Sequence, residues 1–138
     1  MNAPLYFLDT SFLCAYFNQA DSNHHQARDI YRNLSTNNNF QFIITDYIFD
    51  EIVTLLMKRT TKHQAIEYSR LLLDEPVFTL FKINQGIFLK AWELFEKTED
   101  KLWSFTDCTS FIVIQELGIQ TALSFDRHFR QFGIRILP

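Results

Sequence analysis

Glycine is scarce in this sequence: Gly86, Gly118 and Gly133 are the whole set, and no two stand together. A Gly-rich phosphate cradle is thereby excluded, and so is a Gly-x-Ser-x-Gly nucleophile turn. Cysteine is rarer still. Cys14 and Cys108 lie among apolar neighbours with no framework spacing, so no structural disulfide is expected and a reducing, cytoplasmic setting fits. No apolar run approaches the roughly 20 residues of a membrane span. The N-terminal stretch has no basic leader, and its short apolar run is cut by Asp9. A positive excess is also missing. With 13 Lys and Arg against 16 Asp and Glu, a net charge of -3 leaves any hold on nucleic acid to a local basic patch. There is no repeat, linker or low-complexity tract, so the 138 residues read as one domain, 1–138, long enough to bury a core.

What the chain has in abundance is phenylalanine, 15 residues of it, more than one small core needs. Part of that surplus suits a subunit interface. Short apolar runs alternate with helical patterns. Strands are expected at 5–8, 40–44, 77–83, 121–125 and, as an edge, 134–137; helices at 11–17, 22–34, 46–59, 61–73, 85–97 and 104–117, with a loop at 35–39. Thr45 or Asp46 can cap the third of these helices, and Gly118 can end the last. Such alternation predicts an α/β fold, a central mostly parallel sheet of four to five strands flanked by helices.

The last of those helices is the informative one. Cys108, Phe111, Ile112, Val113, Ile114 and Leu117 leave almost no polar face, so the helix is buried, yet Asp107 stands at its start in line with Phe111 and Ile114. An ionised carboxylate there needs a positive or hydrogen-bonding partner. Asp9 and Asp126 end strand patterns, where parallel sheets gather ligands. In the helix after the second strand, Glu51 borders the apolar arc beside Leu55 and suits a partly buried site, whereas Asp50 falls on a solvated face. Each acid also has a structural reading: Asp9 as a helix cap, Ser104-x-x-Asp107 as a capping box, Asp126 as the opening of a turn. Together, Asp9, Glu51, Asp107 and Asp126 would repel one another unless cations or shared protons intervened.

Oxygen ligands of this kind select a hard cation, Mg²⁺ or Mn²⁺, over zinc. The histidines offer no rival metal motif: His24 and His25 are adjacent in a polar helix start, His63 lies on a surface-like helix, and His128 stands alone. Metal-assisted phosphodiester hydrolysis follows as the expected chemistry. Lys58, Arg59 and Lys62, with Arg127, His128, Arg130 and Arg135, are candidates for holding phosphates, or else an ordinary solvated surface.

The stretches Leu8-Asp9-Thr10-Ser11, Asp50-Glu51, Ser104-Phe105-Thr106-Asp107-Cys108 and Ser124-Phe125-Asp126-Arg127-His128-Phe129, in that order and with the ending Phe132-Gly133-Ile134-Arg135-Ile136-Leu137-Pro138, resemble the PIN-domain family. Within it the likeness is to VapC-type toxins of toxin–antitoxin pairs, and it covers essentially the whole chain. The resemblance implies that Asp9 is the first acid and main metal ligand, Glu51 the helix acid, Asp107 the third acid, and Asp126 the fourth, often acting through water. Thr10 matches a polar residue that supports the metal shell. The implied protein is a Mg²⁺- or Mn²⁺-dependent endoribonuclease, homodimeric, and inhibited by a cognate antitoxin lying across the acidic groove. Two rival readings are a PIN nuclease that processes RNA or cuts structured DNA without an antitoxin, and a catalytically silent interaction module.

Overall fold

The computed structural model describes residues 3–36 and 39–138. Five strands, β1 (Leu5–Leu8), β2 (Gln41–Thr45), β3 (Phe78–Phe81), β4 (Thr121–Leu123) and β5 (Arg135–Leu137), form one sheet in the order β3-β2-β1-β4-β5. Every pairing is parallel. Seven helices among the described residues flank it: α1 (Thr10–Phe17), α2 (His24–Ser35), α3 (Asp46–Arg59), α4 (Lys62–Asp74), α5 (Gln85–Lys97), α6 (Phe105–Leu117) and α7 (Arg127–Phe132). Consecutive residues Phe42, Ile43 and Ile44 are all buried, as are Ala122 and Leu123. Because neighbours on a strand point to opposite faces, burial of both means that helices cover both faces. Among the described residues no helix is long and apolar enough to cross a membrane.

The order of the strands creates the place where a site belongs. The chain runs outward from β1 to β2 and β3, then returns to add β4 and β5 on the other side of β1. The reversal lies between β1 and β4, and the crevice at their carboxyl ends is the topological switch point. The register pairs Leu8 with Leu123, and the Asp9 N–H continues the ladder to the Leu123 carbonyl at 3.1 Å. Residues just after each strand are therefore neighbours.

Most expected elements are present with ends moved by one or two residues. The loop expected at 35–39 begins later, since Ser35 closes α2, and its residues 37 and 38, like positions 1 and 2 of the N-terminal reading, lie outside the described residues. Thr45 is the cap of α3, its hydroxyl accepting from Ile48 N at 3.0 Å. Gly118 ends α6 at φ 64°, a left-handed conformation that favours glycine. One correction matters for the site. The fourth strand stops at Leu123 rather than running to Phe125, and α7 begins right after Asp126. Six residues are too few to show a helical period, so this helix is invisible in the pattern of apolar residues.

Candidate active site

Asp9 follows β1 and occupies the cap position of α1, yet its side chain makes no capping bond. Instead Oδ2 accepts from Ser11 Oγ at 2.7 Å and from Ser124 Oγ at 2.9 Å. The residue is 4% exposed. Burial, opposed by the two serines and reinforced by Asp107 and Asp126 nearby, pushes its carboxyl up to about 6. The simple reading of Asp9 as a cap is thus excluded.

Asp107 does cap. Its backbone N–H donates to Ser104 Oγ at 2.9 Å while its Oδ2 accepts from Ser104 N at 3.1 Å, a reciprocal box worth about 1 kcal/mol. The same Oδ2 lies 2.9 Å from His128 Nδ1. Burial raises the Asp107 carboxyl above its ordinary range, against the pull of Ser104 and His128. Asp126 opens α7, its Oδ1 accepting from His128 N at 2.9 Å, and its Oδ2 lies 3.4 Å from His128 Nδ1. Ligand atoms of Asp107, Asp126 and His128 all fall within 4.8 Å of one another. The aromatic core fixes this group. Phe111 stacks on Phe132 at 4.4 Å and meets Phe129 edge-on at 5.0 Å, so α7 cannot shift without breaking the packing on α6.

Glu51 reaches the same place from α3. Its Oε1 accepts from Thr10 Oγ1 at 2.5 Å, a bond that ties α3 to the first turn of α1. Contrary to the expectation of partial burial, Glu51 is exposed. Helical phase placed it correctly at the edge of the apolar arc, but what lies beyond that edge is an open cleft. Asp50 turns away, beside Asp46, Tyr47 and Thr106. Asp100 is an exposed surface acid next to Lys101.

One cleft of about 390 Å³ holds all of these groups: Asp9, Thr10, Glu51, Asp107, Asp126 and His128 line it. Arg59 joins them, its Nη1 donating to Cys14 Sγ at 3.3 Å. The other cations do not reach it. Lys58, Arg127 and Arg130 are exposed outside the lining, Lys62 borders an apolar groove between α3 and α4, and Arg135 lies beside Gly118 and Thr121 in a different cavity. His128 corrects the expectation of an isolated histidine. The turn into α7 brings its ring back onto Asp107, a contact that no spacing in the sequence announces. Ser124, which the sequence reading gives no role of its own, also belongs to the site; the signal for it is that Ser124-x-Asp126 mirrors Asp9-x-Ser11.

The donor set fits a divalent cation. Carboxylate oxygens gather in a partly buried cleft, where burial and neighbouring acids disfavour ionisation of Asp9 and Asp107, and bound positive charge would relieve both. A family model described as PIN domain matches residues 6–134. The chain belongs to the PIN-domain family. This PIN domain is 28% identical over 127 residues to the 23S rRNA-specific endonuclease VapC20 of Mycobacterium tuberculosis, covering 92% of this chain and 93% of that protein. The crystal structure of VapC20, described as a Sarcin-Ricin loop cleaving toxin, superimposes with a TM-score of 0.86 at 26% identity, covering 94% of this chain and 95% of that one. VapBC2 from Rickettsia felis, solved with a DNA fragment from its promoter, shares the fold at a TM-score of 0.71 and 13% identity, with 96% and 97% covered.

Proposed function

We propose that this PIN domain, residues 1–138, is the endoribonuclease toxin of a toxin–antitoxin pair, hydrolysing RNA phosphodiester bonds with Mg²⁺ or Mn²⁺. The observation that carries the reading is the meeting of Asp9, Glu51, Asp107 and Asp126 in one cleft at the switch point of the sheet. Asp9, Asp107 and Asp126 would hold the cation directly or through water, and Glu51, kept in place by Thr10, would complete the acidic wall. When bound, the cation makes water a nucleophile near neutral pH and neutralises charge on the scissile phosphate. Arg59 stands at the cleft to take a neighbouring phosphate, while Lys58, Arg127 and Arg130 serve farther along the strand. Attack by water in line leaves a 5′-phosphate and a 3′-hydroxyl.

The likeness to a protein named as a 23S rRNA-specific endonuclease makes ribosomal RNA the first substrate class to test. VapBC pairs among the structural neighbours support a cognate antitoxin as partner. A homodimer is supported by α5, where Phe88, Trp92 and Phe95 lie 42%, 49% and 40% exposed around Phe105. That aromatic face gives the phenylalanine surplus a use. Cys14 and Cys108, buried and unpaired, suit a cytoplasmic setting.

The deciding experiment incubates purified protein with ribosomal RNA, with Mn²⁺ or with EDTA, beside an Asp9→Asn variant. Cleavage that needs metal and is lost in Asp9→Asn is expected. Cleavage undiminished by EDTA would sink the metal mechanism, and wild-type activity in Asp9→Asn would remove Asp9 from it.

A further inference from the structure

Two serines between the first and fourth acids are arranged so that each hydroxyl has a determined direction. Ser11 Oγ accepts the Phe125 N–H at 3.0 Å, and Ser124 Oγ accepts the Asp126 N–H at 2.9 Å. A backbone N–H can only donate, so each hydroxyl has a lone pair committed and one proton left to give. Both protons go to the same atom, Asp9 Oδ2, at 2.7 Å from Ser11 and 2.9 Å from Ser124. The longer approach of Ser124 Oγ to the Asp126 carbonyl, 3.4 Å, competes poorly for its proton, and the two hydroxyls pass each other at 3.3 Å. Asp9 Oδ1 receives no side-chain hydrogen bond among the described residues, although it belongs to a residue only 4% exposed in the wall of the cleft.

We propose that Ser11 and Ser124 are positioning residues that occupy Asp9 Oδ2, so that the acid presents Oδ1 alone to a divalent cation, and that they lock the segment carrying Asp126 to that acid. The inference rests on the metal-site reading above and adds how its first ligand is aimed. Without the serines a carboxylate is free to rotate and to offer either oxygen or both. With them its plane is determined by the strand register, because Ser124 follows Leu123, the partner of Leu8. The same two hydroxyls accept the N–H groups of residues 125 and 126, so the first and fourth acids move as one unit. Phe125, between them, stacks on Phe12 at 6.1 Å and 8°, which keeps the connector against α1. Ser124 is fully buried, so this hydroxyl does not serve solvent.

The test measures Mn²⁺ binding by electron paramagnetic resonance of the free ion, together with kcat and KM for RNA cleavage, in wild type, Ser11→Ala, Ser11→Thr and Ser124→Ala. Loss of a hydrogen-bonding partner of a ligand weakens metal binding roughly 10–100-fold. That loss is expected in both alanine variants, with kcat falling and KM for RNA unchanged, and Ser11→Thr is expected to restore wild-type affinity. Native circular dichroism with wild-type Mn²⁺ affinity in Ser11→Ala overturns the proposal while leaving the metal site intact. Should Ser124→Ala not fold, the Ser11→Ala and Ser11→Thr pair decides alone, because Ser11 is only half-buried. Absence of Mn²⁺ binding in wild type itself overturns the metal reading and the positioning role with it, a result distinct from the first.

Discussion

His128 Nδ1 lies 2.9 Å from Asp107 Oδ2, across 21 residues of sequence, and 3.4 Å from Asp126 Oδ2. Facing carboxylates, that nitrogen carries the proton and donates. Replacing the ring in His128→Ala leaves two acids facing each other. Since both partners are partly exposed, the metal-free protein should lose about 1 kcal/mol of stability. Urea denaturation in EDTA reads this, and Mg²⁺ should narrow the gap by placing positive charge between the two facing acids. A variant as stable as wild type in EDTA would show the contact to be idle.

Asp9→Asn should separate activity from stability. In the unfolded chain this acid ionises near 3.8, in the fold at about 6, so between those values the native state keeps a proton that the unfolded state has lost. Stability from this group therefore falls as pH rises through that window and stays lowered above it. At pH 7 and without metal, the asparagine variant escapes a penalty of up to about 3 kcal/mol. It should melt at a higher temperature than wild type at pH 7 and match it below pH 4, while cleaving no RNA. Calorimetry at the two pH values is the check.

The same acid makes metal binding sensitive to pH. Below about 6 a cation must displace the proton from Asp9, so Mn²⁺ affinity should drop by about tenfold per pH unit. Titration calorimetry at pH 5 and pH 7 measures it. A flat profile would show that Asp9 is not among the ligands.

Among the described residues, Arg59 is the only Lys or Arg lining the cleft. Arg59→Ala should raise KM for RNA several-fold with a smaller change in kcat, and Lys58→Ala, Arg127→Ala and Arg130→Ala should each do less. Equal effects at all four positions would mean that the strand is held by the whole surface rather than at this point.

The aromatic face of α5 gives a prediction independent of catalysis. Wild type should sediment as a dimer, and Trp92→Glu, which places a charge on an exposed ring position, should sediment as a monomer with an unchanged circular dichroism spectrum. A wild-type monomer at micromolar concentration would leave that face to another partner.

Local order along the chain determines a good deal of this protein. Apolar runs of strand length alternating with helical patterns dictate the parallel α/β fold, because period and length report burial without knowledge of neighbours. The placing of Asp9, Asp107 and Asp126 at the edges of apolar elements, and the choice of Glu51 over Asp50, also follow from periodicity. Tertiary structure decided the rest. Whether an acid caps or faces a cleft depends on where its spare lone pairs point: Asp107 does both, while Asp9 does not cap at all. Glu51 is exposed because the arc it borders opens onto a crevice, and Lys58, Arg127 and Arg130 miss that crevice because of the phase of their helices in the assembled fold. His128 and Ser124 join the site only through the six-residue turn of α7 and the pairing of β4 with β1. These are contacts across more than 20 and more than 100 residues, set by strand order and register; the short pattern Ser124-x-Asp126 marks a polar turn but not which residues it meets.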